Sequence, residues 1–228
     1  MGLIYKIGLD YFIHTNGITF TFLKIQVQNI IKRFEQEEII HDFSAEFVAP
    51  SSTVLLGING SGKSTLLQII SGFVSPSKGS IIFSQNGKEL DAETRFSTVS
   101  FCAPYLEVIE EMTLLEFLSY HFSFKKTNHK VQDMIAYIGL EKATNKFIAN
   151  FSSGMKQRVK LAQAIFADAP VLLLDEPCTN LDKAGIDLYN KMIQDFCSEK
   201  IIIVASNDPN EYSFCAHKIN VMDFKRNK

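Results

Sequence analysis

The residues best suited to chemistry stand in "GINGSGKST", Gly57 to Thr65. The spacing is G-x-x-x-x-G-K-S between a strand-like run and a helical pattern, the arrangement of a phosphate-binding loop. Gly57, Gly60 and Gly62 let the backbone curl, so that successive N–H groups along Asn59, Ser61 and Thr65 point at phosphate oxygens. The helix expected to start near Lys63 aims its positive end at the same anion. Lys63 is placed to reach the β- and γ-phosphates of a nucleotide, and Ser64 offers a hydroxyl to Mg²⁺. The bland alternative is a glycine-rich turn before a helix. A second group lies in "VLLLDEP", where Asp175 and Glu176 end an apolar run. An acid there holds Mg²⁺ through water, and its neighbour accepts a proton from an attacking water. Alone, the two acids read equally well as a helix cap or a solvated pair.

Both groups need elements to position them. Strands are expected at 23–27, 53–57, 79–83, 97–101, 171–175, 201–205 and 217–222. Three of these runs are almost wholly apolar, as strands covered on both faces are, which implies a parallel sheet between helices. Open parallel sheets bind ligands at the carboxyl ends of their strands. Ile186, Tyr189, Ile193 and Phe196 recur at helical spacing and predict a helix between Asp182 and Ser198. Residues 105–150 read as mostly helical, an insertion into the α/β core.

The chain has 228 residues, of which 46% are hydrophobic and 21% charged, an ordinary globular balance. The net charge of −2 gives no reason to expect nucleic acid as a partner. No uncharged apolar run is long enough to cross a bilayer, and "MGLIYKIGLD" lacks the form of a signal peptide. Cys102, Cys178, Cys197 and Cys215 form no C-x-x-C pair and read as reduced thiols of a cytoplasmic protein.

"GINGSGKST", then "FSSGMKQR", "VLLLDEP" and "TNLD", resemble in order and spacing the ATP-binding cassette family, the ATPase subunits of membrane transporters. The resemblance covers about residues 23–222 and leaves 1–22 as an extension outside it. It implies a P-loop NTPase core with a mainly parallel sheet, N-terminal antiparallel strands and a helical insertion at about 105–150. It also implies ATP and Mg²⁺ as ligands, a second cassette as partner, and a separate transmembrane permease. "FSSGMKQR" corresponds to the family signature, with Ser152 and Gly154 matching. Ser153 and Met155 replace a glycine and a glutamine. In the family this edge grips the γ-phosphate held by the other subunit; a plain N-cap serine is the alternative. Asp182 matches the family's acid between the two sites and can also cap the following helix. Phe34 falls where the family stacks an aromatic on adenine.

Two positions depart from the family pattern. "FCAPYLEVIEEMT" has no glutamine where the family places one near the metal; Ala103 or Pro104 stands there. In "IIIVASND", Asn207 takes the place of a histidine at the γ-phosphate. An amide donates a hydrogen bond but carries no positive charge. Glu176 remains as the general base, so hydrolysis is expected, at a rate lowered by the two changes. The short cassette resembles exporter-type systems more than importers. Two rival readings remain: an ATP-gated dimerisation module that hydrolyses little, and a soluble cassette ATPase without a permease. Residues "FKRNK" at the end read as a solvated basic tail.

Overall fold

The computed structural model describes residues 5–7, 23–35 and 37–225. Of the 1–22 extension, only a strand at Tyr5–Ile7 (β1) falls within them. The rest of that extension, and the end of the basic tail, lie outside the described residues.

β2 (Leu23–Phe34) and β3 (Glu37–Val48) form a long antiparallel hairpin. β4 (Ser51–Leu56) runs into the glycine-rich loop and α1 (Lys63–Ser71). β5 (Lys78–Gln85) and β6 (Lys88–Glu89) follow, then α2 (Ala92–Thr98) and β7 (Val99–Cys102). Next come α3 (Leu114–Phe124), α4 (Val131–Tyr137) and α5 (Ser153–Ile165). β8 (Val171–Asp175), α6 (Lys183–Phe196), β9 (Ile201–Ala205), α7 (Pro209–Tyr212) and β10 (His217–Asn220) complete the chain.

The strands sort into two sheets. One has the order β1-β3-β2-β5-β6, antiparallel apart from β1 alongside β3. The other, β10-β4-β9-β8-β7, is parallel throughout. Its central strands are apolar along their length for a physical reason. Val171 and Leu173 of β8 face one core, shared with α1 and the antiparallel sheet. Leu172 and Leu174 face the other, shared with α3, α5 and α6. The stripe Ile186, Tyr189, Ile193 and Phe196 packs α6 onto this second core, as its spacing predicts.

Five expectations change, the first being that the strand expected at 217–222 ends at Asn220, because Asn220 caps a 3₁₀ turn at Val221–Phe224. The strand expected at 97–101 begins at Val99, because Ser97 and Thr98 close α2, whose N-cap is Asp91. β2 continues well beyond Val27. β3 went unread because its buried residues, Ile40, Phe43, Ala45 and Phe47, do not alternate strictly. A bulge at Asp42 (φ +51°) breaks the period, matched across the hairpin by Asn29 (φ +49°). The Asn29 amide donates to Asp42 Oδ1 at 2.8 Å and joins the two bulges. Segment 105–150 is less helical than expected: α3, α4 and two single 3₁₀ turns (Glu141–Ala143 and Ile148–Asn150) are joined by loops.

Candidate nucleotide site

β4 delivers the chain to Gly57 at the carboxyl edge of the parallel sheet. The loop then doubles back, with Gly57, Gly60 and Gly62 all at positive φ. Space also requires glycine at two of them. A Cβ on Gly57 would meet Ser61 Oγ at 2.6 Å, and one on Gly62 would meet Ile39 Cγ2 at 2.8 Å. α1 starts at Lys63 without a side-chain cap, so its first N–H groups are left to a ligand. Ser61 Oγ is buried without a hydrogen-bond partner, as suits a group awaiting an acceptor such as phosphate. Lys63 Nζ donates to Gly57 O at 2.7 Å, which lays its ammonium across the loop. Burial lowers its pKa, while Glu176 and Asp175 oppose that shift.

β8 brings Asp175 alongside. Ser64 Oγ donates to Asp175 Oδ1 at 3.0 Å, joining the two groups named for Mg²⁺. Burial pushes the Asp175 carboxyl up, and the Ser64 hydroxyl pulls it down. Glu176 leaves the strand at φ +42° and is exposed, its backbone N–H bonded to Ala205 O at 3.0 Å. Ser64, Asp175 and the loop N–H groups fit a metal–triphosphate, since they offer oxygen donors to a hard cation and N–H donors to its anion.

Asn207 follows β9, between Ser206 and the N-cap Asp208 of α7. Its Oδ1 accepts the Gly57 N–H at 3.3 Å, across 150 residues of sequence. The side chain thus bonds directly to the start of the glycine-rich loop. With its oxygen so engaged, the amide N–H₂ is its remaining donor.

Ser152, Gly154 and Asp182 form a separate group. Ser152 caps α5 by accepting the Met155 N–H at 3.2 Å. Asp182 caps α6 by accepting the Gly185 N–H at 2.8 Å, with Arg158 Nη2 3.7 Å from it. A Cβ on Gly154 would meet Asn180 O at 3.1 Å, so the signature and the "TNLD" turn touch at this glycine. Together with Lys142 and Lys146 they line a cavity of ≈ 730 Å³ to which no phosphate-loop residue contributes. Within one chain this group and the glycine-rich loop line no common cavity.

Phe34 ends β2 with its ring half exposed, and Lys32 Nζ lies 4.6 Å from the ring centroid. The hairpin it belongs to returns over Gly62 through Ile39.

Three residues at the site carry no sequence signal of their own. The Tyr105 phenol, one residue past Pro104, faces Gln68 and Asp175; burial pushes its pKa up to about 12. Gln157, 2% exposed, donates from α5 to Pro177 O at 2.6 Å. Glu211 is a buried carboxylate behind the site. No spacing rule marks them, because each reaches the site only through the fold. Among the described residues all four cysteines are free, and burial pushes the thiols of Cys102 and Cys215 up to about 12 and that of Cys197 to about 11.

Residues 40–179 match the family described as ABC transporter. An uncharacterized ABC transporter ATP-binding protein of Bacillus subtilis (strain 168), YybJ, is 30% identical over 187 residues, which cover 80% of this chain and 85% of that protein. The lantibiotic transport ATP-binding protein SrtF of Streptococcus pyogenes is 30% identical over 190 residues, covering 80% of this chain and 79% of its own. The chain spans about half the length of several longer relatives, 55% of one and 48% of another. A solved structure described as an ABC transporter ATP-binding protein from Pyrococcus furiosus superposes with a TM-score of 0.75 at 22% identity, over 89% of this chain and 100% of that one, a likeness of fold. With the phosphate loop, the acids of β8 and the signature helix arranged as above, the chain belongs to the ABC transporter family as an ATP-binding chain.

Proposed function

We propose that this chain binds Mg·ATP at Gly57–Thr65, Asp175 and Asn207 and hydrolyses it, driving a separate permease as one of two paired cassettes. The observation that carries the reading is the Ser64–Asp175 hydrogen bond of 3.0 Å. It unites the phosphate loop with the acid-bearing strand at one sheet edge. Lys63 and the loop N–H groups hold the phosphates. Mg²⁺, when bound, draws charge from the phosphate oxygens, and Ser64 and Asp175 are the side chains to hold it. Glu176 takes a proton from the attacking water. Asn207 donates its amide toward the γ-phosphate, and Phe34 offers its free face to adenine.

The separation of Ser152 and Gly154 from the loop supports a second cassette as the source of the other phosphate contact. Of the described residues, no helix is long and apolar enough to cross a membrane, and a relative named for lantibiotic transport supports the reading in which a separate permease holds this chain at the membrane face. Phe73 and Phe96 are exposed at the groove between the core and α3, an apolar surface suited to a permease loop. Segment 105–150 supplies its outer wall.

Glu176→Gln tests the reading. The amide cannot take a proton from water, yet every phosphate contact remains. The variant should run as a dimer in size-exclusion chromatography with Mg·ATP and lack turnover. Hydrolysis at the wild-type rate would remove Glu176 as base. The low-turnover switch is favoured by two observations, the neutral Asn207 against Gly57 and the absence of a glutamine from residues 101–113. It predicts an ATP-dependent dimer in the wild type itself, with negligible phosphate release.

A further inference from the structure

Glu211 has no part in the phosphate contacts above, yet it is only 5% exposed. Carboxylates are seldom buried without donors around them. Its Oε1 accepts the Cys178 N–H at 2.7 Å. The Ser206 hydroxyl stands near enough to the carboxyl to lower its pKa, against the rise that burial causes, and Ser206 is 1% exposed. The same Ser206 oxygen accepts the Asp208 N–H at 2.9 Å. The backbone carbonyl of Glu211 accepts the Tyr189 hydroxyl at 2.8 Å, which fixes α7 against α6.

The two groups that meet Glu211, the Cys178 N–H and the Ser206 hydroxyl, belong to two different turns of the site. Cys178 lies two residues past Glu176, and Ser206 lies one before Asn207. The first turn needs restraint, because Glu176 is a non-glycine residue in the left-handed region. Its backbone bonds to Ala205 and Thr179 hold the start of the turn, and Glu211 holds the next N–H along. The second turn carries Asn207 against Gly57. A single buried side chain therefore closes a path from the Glu176 turn through Ser206 and Asn207 to the phosphate loop.

We infer that Glu211 is a positioning residue for the hydrolysis proposed above, setting the distance between the proton acceptor Glu176 and the phosphate-side donor Asn207. It acts through these two residues and touches no reacting atom. It bears on reaction geometry and not on nucleotide binding, because the loop and Lys63 are built from β4 and α1. The inference rests on the ATPase reading.

Turnover and KM for Mg·ATP, with thermal melting as a fold check, are to be measured for wild type, Glu211→Ala, Glu211→Gln and Ser206→Ala. Glu211→Ala leaves the Cys178 N–H without its acceptor and should lower kcat by about 10- to 100-fold, the cost of a small misplacement of reacting groups. KM should stay within about threefold, since the lost interaction concerns the transition state. Glu211→Gln keeps an acceptor for Cys178 and should recover most of kcat. Ser206→Ala cuts the same path from the other side and should lower kcat without changing KM, which serves if Glu211→Ala does not fold. Wild-type kcat in Ser206→Ala together with wild-type kcat per folded molecule in Glu211→Ala overturns the inference alone. So does a Glu211→Gln as impaired as the alanine variant. A wild-type chain with no turnover overturns the ATPase reading, and the inference with it.

Discussion

Lys63 lies in the phosphate loop and Asn207 bonds to it from the end of β9, and variants at the two positions should separate binding from turnover. The Lys63 ammonium is the loop's one full positive charge. Lys63→Ala should therefore abolish measurable ATP binding by calorimetry, a loss of about 3 kcal/mol or more for a partly buried charged contact, with the melting temperature of the free protein little changed. Asn207 offers a neutral hydrogen bond, worth about 1 kcal/mol. Asn207→Ala should lower kcat by about tenfold with ATP affinity unchanged, and Asn207→His should equal or exceed the wild-type rate, because an imidazole can carry charge. Steady-state rates for the three proteins with the same permease decide it; equal rates for wild type and alanine variant would leave Asn207 a turn residue. The loop, Asp175 and Glu176 were legible in the sequence because their chemistry forces contiguous types: glycines for the curl, then a lysine, then a hydroxyl. Tyr105 and Glu211 were not. Their partners lie far along the chain, and nothing local distinguishes a buried Glu211 from a solvated one.

Strands were readable where both faces are covered, as in β8 and β9, because every position must then be apolar. β2 was readable only up to its bulge, where the inward face changes parity, and β3 was not readable at all. Gly79 of β5 shows what the bulge demands of its neighbour. Its φ is +90°, and a Cβ there would lie 2.4 Å from Gln28 O and 2.5 Å from Asn29 O. Gly79→Ala should cost about 2–4 kcal/mol from backbone strain and displacement of the bulge, seen as a fall of roughly 4–16 °C in melting temperature. α3 begins with a capping box in which Thr113 and Glu116 satisfy each other's end of the first turn. Thr113→Ala should remove about 1 kcal/mol, a shift of roughly 2–4 °C, with ATP affinity unchanged. A drop in affinity would mean that the helical segment and the phosphate loop are coupled more tightly than their separate cores imply.

A ligand that binds only the folded chain stabilises all of it. Mg·ATP at 100 times its dissociation constant should add about 2.7 kcal/mol, raising the melting temperature of the wild type but not of Lys63→Ala. The strand order β10-β4-β9 has a further consequence, which concerns birth rather than function. β4 carries the phosphate loop, yet both of its neighbours in the sheet come from the last part of the chain, Ser51 pairing with Ile201 and Thr53 with His217. A ribosome delivers residues in order, so β4 emerges long before either flank exists. During that interval its apolar edge has no sheet to join, and contacts so distant in sequence form slowly. A nascent chain stalled at residue 195 would hold the whole glycine-rich loop and should still retain no nucleotide, and in that state the unpaired edges of β4 are open to other chains.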